Sequence, residues 1–465
     1  MNNPEKPRPH NRYVYRFWCA VAITAMALAT FLFVWINFAS DNNTTGYLLG
    51  LGNLGMASAI YVVIFAFAGV FLHAFKIGVE RKSKQIASVI LTVFFTDVIE
   101  VLMSIAILGD FRYILALTWR YALLAVAQSI ILGITEFIMV NLYRILVSPM
   151  PILVIQGDHD NRISANIDKI HYKYHISDTI RYDEDPEKIR EAINNAEGVL
   201  INDVPPEVTQ KIIKFCYETD TRTYIVPKVA DIILKSSDNL NVIDTPLYLC
   251  RNLGANKAQL FIKRLMDILL SLIAVIVLSP ILLITAIAIK AEDKGPVFYR
   301  QERVTKDGKK FMILKFRSMI VDAEKDGKPR PAGAKDDRIT KVGHVIRACR
   351  VDELPQLFNI LKGEMSIVGP RPERVEHVEA YKQDIPEFVF REKMKGGLTG
   401  YAQVYGKYNT TALDKLKLDL IYITNFSIFL DIQIIFETIK ILFQKESTEG
   451  FDEQRAQEMH DKAKV

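Results

Sequence analysis

Hydrophobic positions fall into long, nearly unbroken runs in the first third of the chain and into short, punctuated ones afterwards. Four apolar stretches run approximately from Phe17 to Phe38, Leu54 to Phe75, Ile86 to Leu108 and Ile114 to Tyr143. Each holds about 20 residues or more, enough for a helix to cross a hydrocarbon core of ~30 Å. Isolated charges interrupt two of them: Asp97 and Glu100 in the third, Arg120 and Glu136 in the fourth. A buried globular helix would explain any one run. Four in succession predict a transmembrane bundle.

Beyond residue 150 the pattern changes to short apolar strands at 151–155, 198–201 and 223–226, with a helical period over Pro205–Glu218 between the last two. That alternation predicts a small α/β unit with a parallel, Rossmann-like sheet. A dinucleotide site would need a Gly-rich turn after the first strand, yet Gly157 stands alone, with no further glycine until Gly198. The unit therefore reads as a spacer or interaction domain. Asp158-His159-Asp160 resembles the D-x-D that holds a metal in many glycosyltransferases, although polar turn residues explain so short a match.

A second apolar region runs from Ile268 to Ile289, with Ser271, Ser279 and Thr285 its only polar members. As one straight helix it would be about 33 Å long and could span. Ser279-Pro280 sits at its centre, where proline removes a helical hydrogen bond, so a bend is expected. Lys257, Lys263 and Arg264 precede the run, and Lys290, Lys294, Arg300, Arg303, Lys306, Lys309 and Lys310 follow it. Basic flanks on both sides favour a re-entrant helix that dips in and returns over a proline-kinked span. The same rule, applied to Lys6, Arg8, Arg12 and Arg16 in the tail and to Lys76, Arg81, Lys82 and Lys84 in the second loop, puts both ends of the four-span bundle in the cytoplasm.

Composition sharpens this only locally. The 465 residues are 50% hydrophobic and 24% charged with a net charge of +5, too small to name a partner. Cysteines at 19, 216, 250 and 349 have no metal or redox spacing and read as free thiols. No cleavable signal peptide is expected, because the first apolar run is too long and is followed by more of the same.

Three polar strings after the second apolar region carry candidate chemistry. They are Lys315-Phe316-Arg317-Ser318-Met319, the stretch from Arg347 and Arg350 to Asp352-Glu353-Leu354-Pro355-Gln356-Leu357, and Gly369-Pro370-Arg371-Pro372-Glu373. Proline is tolerated only in the first turn of a helix, so a helix is expected to begin near Glu353 with Asp352 as its N-cap. The positive end of that helix would keep Asp352 ionised and suit an arriving phosphate. Two carboxylates beside converging cations are what Mg²⁺-assisted phosphoryl transfer needs, and aspartate is also a recognised covalent acceptor of phosphoryl groups. An ordinary capped helix with a solvated Asp-Glu pair has the same sequence signature.

The stretch from about Lys263 to Phe443 resembles the bacterial sugar transferases, the monotopic phosphoglycosyl transferases that start exopolysaccharide and glycoconjugate synthesis. The resemblance rests on Lys263-Arg264-Leu265-Met266-Asp267, Gly295-Pro296-Val297-Phe298-Tyr299, the three strings above with Phe358-Asn359 and Ser366-Ile367-Val368, and Leu398-Thr399-Gly400-Tyr401-Ala402-Gln403-Val404, in order. It implies that Asp352 is the nucleophile toward the β-phosphate of a UDP-sugar, releasing UMP, and that a polyprenyl phosphate then attacks the phosphosugar–enzyme intermediate. It makes Glu353 the dyad partner, as Mg²⁺ ligand or proton acceptor, and places Lys315, Arg317 and Arg347 near the phosphates. Arg371 becomes the nucleotide-binding arginine, Asp419 a further acidic site residue, and Ser279-Pro280 the break of a re-entrant helix. Lys395-Gly396-Gly397 stands where the family commonly has Arg-Pro-Gly, so Lys395 keeps the charge without the bidentate fork. Tyr401 replaces a tryptophan, and Tyr405-Gly406-Lys407 an Asn-Gly-Arg.

Ile428 to Phe443 mixes apolar residues with Asp431, Gln433, Glu437 and Lys440, which fits an amphipathic helix either on a membrane surface or against the domain core. The expected organisation is a four-helix transmembrane bundle (1–148), a Rossmann-like spacer (149–245), an α+β catalytic domain (246–445) with a re-entrant helix at 263–291, and a charged tail (446–465). The expected partners are a UDP-sugar, a polyprenyl phosphate and the inner membrane, with the catalytic domain on its cytoplasmic face. Nucleic acid is not among them, and homodimers are plausible. Two rivals stand beside this reading: a metal-dependent glycosyltransferase using Asp158 and Asp160, and a non-catalytic membrane scaffold.

Overall fold

The computed structural model describes residues 10–42, 50–159, 163–250, 255–321, 323, 336–406 and 410–442. Asp160 and the tail 446–465 lie outside the described residues. The chain divides into two compact units, Met1–Val226 and Pro227–Val465. Five helices are long and apolar enough to cross a membrane, four of them in the first unit.

Those four are α1 (His10–Asn42), α2 (Leu51–Phe71), α3 (Lys82–Leu108) and α4 (Ile114–Leu146). In α1, Ile23, Ala27, Phe31 and Trp35 recur one turn apart, and all are buried. Phe31 stacks on Tyr61 of α2 with ring centroids 4.3 Å apart. Asp97, Glu100 and Glu136 are buried inside the bundle rather than turned outward, the only arrangement in which such charges are tolerated in an apolar span.

The rest of the first unit is α/β: β1 (Met150–Gln156), α5 (Ile163–Asp168), β2 (Tyr174–Arg181), α6 (Pro186–Asn195), β3 (Gly198–Asn202), α7 (Pro206–Glu218) and β4 (Arg222–Ile225). The strands form one parallel sheet in the order β2-β1-β3-β4. The three apolar runs became β1, β3 and β4. Strand β2 gave no such signal because it lies at the sheet edge, with Ile180 its only buried residue.

In the second unit, α8 (Val229–Lys235) inserts Ile232 beside Val378, Phe388, Leu416 and Leu420. An exposed hairpin, β5 (Asp238–Val242) and β6 (Thr245–Leu249), precedes the long helix α9 (Lys257–Asp293). There follow the antiparallel pair β7 (Phe298–Val304) and β8 (Lys310–Phe316), α10 (Lys341–Ala348) and α11 (Gln356–Lys362). Next come β9 (Ser366–Val368), α12 (Val375–Asp384) and β10 (Gly397–Thr399), which pairs parallel with β9. Helices α13 (Tyr401–Tyr405), α14 (Ala412–Thr424) and α15 (Ile428–Leu442) complete the unit. In α15, Asp431, Ile434, Glu437 and Lys440 are all buried, which decides for core packing on that face.

Helix α9 is held along one face by the rest of its unit. Lys263 Nζ donates to Val368 O at 2.9 Å and pairs with Asp431 at 2.6 Å. Asp267 Oδ1 accepts from Ser366 Oγ and from Ile367 N at 3.1 and 3.0 Å. Arg264 donates to the carbonyls of Ile360 and Leu361, the last turn of α11. Farther along, Leu282, Ala286 and Ile289 pack with Phe316 and Ile346. Most of its other large apolar side chains, from Phe261 to Ile287, are exposed.

Helix α9 continues through Ser279-Pro280 as one element. Pro280 lacks the N–H that would bond to Ile276 O, and Ser279 Oγ donates to that carbonyl instead, at 2.7 Å. Ser279→Ala is therefore expected to cost about 1–2 kcal/mol. In a Pro280→Ala background, where the backbone N–H returns, the same change should cost less than about 0.5 kcal/mol. Thermal unfolding of the four proteins of this cycle checks the coupling, and additive effects contradict it.

Candidate active site

The candidate site is assembled from three pieces of chain that α9 and its neighbours hold in register. Lys315 comes from the end of β8. Asn359 of α11 locks that strand in place: its Oδ1 accepts from Leu314 N at 2.9 Å, and its Nδ2 donates to Met312 O at 2.8 Å. Arg371 comes from the turn after β9, where Gly369 passes so close to Lys395 that an added Cβ would stand 2.3 Å from its carbonyl oxygen.

Asp352 and Glu353 lie in a 3₁₀ turn, Val351–Glu353, that Arg350 enters in the left-handed region with φ 56°. The α-helix starts only at Gln356, with Pro355 at its cap position. The expectation that Asp352 is a helix N-cap is thus wrong: Leu354 N closes the tight turn on Val351 O at 3.1 Å, three residues before the helix begins. A lowered carboxyl pKa does not follow either. Burial and the neighbouring Glu353 push the Asp352 carboxyl above its ordinary pKa, against the opposing pull of Lys315, Arg347 and Arg350.

Glu353 has the opposite fate. Lys315 Nζ and Arg371 donate to the same oxygen, Oε1, at 2.9 and 2.7 Å. Burial alone would raise this carboxyl, but Arg371 and Lys315 together hold it well below the usual carboxylate range. Adjacent carboxylates are therefore differentiated. Glu353 is bound by two cations, whereas Asp352 has no hydrogen bond or ion pair among the described residues. Arg347, in the last turn of α10, acts on Asp352 through space.

The other sequence candidates fall around this centre. Arg317 is buried and paired with Asp293 at the end of α9. Lys395 stands by Arg264 at the far end of α11, its Nζ 3.8 Å from where a Cβ on Gly363 would lie. Asp419, 1% exposed, pairs with Arg391 Nε at 2.6 Å, and Arg391 in turn donates to Arg371 O at 3.0 Å. Arg303 donates to Pro372 O at 3.2 Å on the other side of the same turn. Asn359, Arg391 and Arg303 were given no role from sequence. Asn359 stood inside a quoted string, but a run such as Phe388-Val389-Phe390-Arg391 has no spacing that marks its arginine. Asp158, the other acidic candidate, pairs with Arg181 at 3.7 Å in the first unit.

Two hard carboxylate oxygen donors, one of them uncommitted, fit Mg²⁺, which takes one or two protein carboxylates and completes its shell with substrate phosphates and water. Among the described residues no group of three or more His, Cys, Asp or Glu forms a closed metal cage.

Residues 258–445 match the family described as bacterial sugar transferase. The exopolysaccharide production protein PSS of Rhizobium leguminosarum bv. phaseoli is 40% identical over 189 residues, which cover 39% of this chain and 94% of that protein. The chain belongs to the bacterial sugar transferase family. A UDP-glucose:undecaprenyl-phosphate glucose-1-phosphate transferase of Klebsiella pneumoniae is 37% identical over 292 residues, 61% of each chain. A UDP-N-acetylgalactosamine-undecaprenyl-phosphate N-acetylgalactosaminephosphotransferase of Aeromonas hydrophila is 46% identical over 185 residues, 39% of this chain and 44% of that one. The chain thus spans about half to three fifths of the length of these last two relatives.

Two outcomes follow for the transferase. Because a raised carboxyl pKa keeps Asp352 protonated to higher pH, the acid limb of kcat/KM should lie above that of an exposed aspartate. Lys315→Met removes an opposing charge and should move the limb to still higher pH; a pH profile with an unmoved limb contradicts this. Arg391→Gln leaves Asp419 as a buried charge without its cation and should cost about 3–5 kcal/mol in thermal unfolding. Arg391→Lys should recover only part, because one ammonium cannot replace the guanidinium fork that reaches Asp419 and Arg371 O together; an unchanged transition for either variant contradicts the account.

Proposed function

We propose that the transferase moves a sugar 1-phosphate from a UDP-sugar to undecaprenyl or another polyprenyl phosphate, the initiating step of exopolysaccharide, capsule or O-antigen synthesis. The observation that carries this reading is the division of labour in the dyad: a carboxylate left free and made more basic beside one immobilised by two cations. Ionised Asp352 attacks the β-phosphorus of the UDP-sugar. The bond between that phosphorus and the bridging oxygen breaks, UMP leaves, and the sugar phosphate stays on Asp352 as an acyl phosphate. An oxygen of the lipid phosphate then attacks the same phosphorus, the bond to Asp352 breaks, and the carboxylate is regenerated with a polyprenyl diphosphate sugar as product. Lys315 and Arg371, fixed on Glu353, and Arg347 beside Asp352 supply preorganised positive charge where phosphoryl oxygens gather charge. Mg²⁺ held by Asp352 and Glu353 would neutralise the diphosphate and stabilise the leaving UMP.

The membrane placement belongs to the same reading. The apolar helices make this a membrane protein, and the basic flanks favour the inner membrane with the dyad on its cytoplasmic side. For α9, contacts from Lys263 to Ile289 with a single globular unit support a re-entrant path, since a straight span would draw that unit into the hydrocarbon.

The relatives' names differ in the sugar, so the test uses a panel of UDP-sugars with undecaprenyl phosphate and the detergent-purified protein. One UDP-sugar should give UMP release, and Asp352→Asn should lower it by on the order of 10³-fold or more. Undiminished release by Asp352→Asn, or none from any UDP-sugar, refutes the proposal.

A further inference from the structure

A cavity of about 220 Å³ lies where the bundle meets the parallel sheet. Its walls are the first turns of α1, the 72–81 connection, the end of α4, and the amino-terminal edge of the sheet at Met150, Lys173 and Arg222. Four cations line it, Arg12, Arg16, Lys173 and Arg222, with no aspartate or glutamate and with Tyr143 and Tyr224 among the aromatic walls. Gly78, at φ 73°, makes room for one wall: an added Cβ would stand 2.1 Å from the Tyr143 ring.

Their surroundings neutralise these cations only in part. Arg16 donates to Ile77 O and to Tyr143 Oη, both neutral, at 2.9 Å each. Lys173 has no carboxylate partner among the described residues and lies 4.8 Å from the Tyr174 ring centroid. Arg222 Nη1 donates to Met150 Sδ at 3.8 Å. Of the nearby carboxylates, Glu197 stands 3.8 Å from Arg12, and Glu80 is taken by Lys84 and His73 at 3.3 and 3.9 Å. Burial depresses the Lys173 ammonium most and Arg16 adds to it, with Tyr224 and then Glu80 opposing. Four half-buried cations with at most two carboxylates near them are costly unless an anion completes the site.

We propose that this cavity binds the phosphate of an anionic membrane-lipid headgroup. Its lining includes Arg12, Arg16 and Tyr143, where α1 and α4 leave their apolar stretches; headgroups lie at such helix ends, and basic pockets there suit them. Its volume falls below the roughly 300–1,000 Å³ of sites that enclose a whole small-molecule ligand. The phosphate alone enters, and the acyl chains stay against the bundle. This inference does not depend on the transfer reaction; it needs only that α1–α4 are membrane-embedded.

The full-length protein in detergent is titrated with dihexanoyl-phosphatidylglycerol, dihexanoyl-phosphatidylcholine, inorganic phosphate and UMP, reading the shift in thermal unfolding. Lys173→Gln/Arg222→Gln should weaken phosphatidylglycerol binding about 10-fold or more. Lys173→Arg should retain it, and phosphatidylcholine should bind weakly to every variant. The single Lys173→Gln, at about 3-fold or more, carries the same comparison in a less altered protein. Equal affinity for the two lipids, or unweakened phosphatidylglycerol binding in both Gln variants, overturns the proposal. Inorganic phosphate or UMP binding as tightly as the anionic lipid, and lost in the same variants, overturns the lipid assignment in favour of a soluble phosphate. Because the readout is binding lost on substitution in the first unit, a failure here is distinct from a failure of UMP release.

Discussion

One oxygen of Glu353 accepts from both Lys315 and Arg371, and the chemistry of the site depends on that convergence. Two cations within hydrogen-bond reach of one carboxylate fix its charge and geometry. In the proposed reaction phosphoryl oxygens would use the remaining donors of these cations, at little further cost in side-chain entropy. The neighbouring carboxylate keeps its lone pairs. Two chemically similar residues, adjacent in sequence, thereby acquire different roles through environment alone, as when burial and charge push paired titratable groups apart.

The geometry of that convergence is set at a distance by α9. Its polar residues Lys263, Arg264 and Asp267 do not face solvent or lipid. They bond to β9, from which the Arg371 turn springs, and to the last carbonyls of α11, whose other end follows the dyad. The helix that carries more exposed large apolar side chains than any other element of this unit is thus also the beam to which both halves of the site are fastened. On the proposed re-entrant reading, membrane attachment and site assembly share one element, so a change in how α9 lies at the membrane would bear directly on the dyad.

Much of this was legible in the sequence because it rests on periodicity or on rare local chemistry. The four apolar runs are helices α1 to α4, and the alternation after residue 150 is a parallel sheet. The strings around Lys315, Asp352-Glu353 and Arg371 do converge. What was not legible depends on contacts between distant segments. Pro355 signalled a helix start, but the left-handed Arg350 and the tight turn behind it moved that start three residues past Glu353 and left Asp352 outside the helix. Strand β2 is nearly all exposed and lacks an apolar run. Arg391 and Asp419 are 28 positions apart, and only the folded chain reveals that one supports the other beneath Arg371. Likewise the cations at 12, 16, 173 and 222 are scattered along two domains and become a cluster only in three dimensions.

The central claim, that the uncommitted carboxylate becomes bonded to phosphorus, is tested most directly by mass. The protein is incubated with an accepted UDP-sugar and Mg²⁺ in the absence of lipid phosphate, quenched, digested and sequenced by mass spectrometry. The account predicts release of up to one equivalent of UMP and a sugar-phosphate adduct on the peptide containing Asp352, discharged when polyprenyl phosphate is added. UMP release that requires the lipid from the outset, with no adduct at any time, would contradict it.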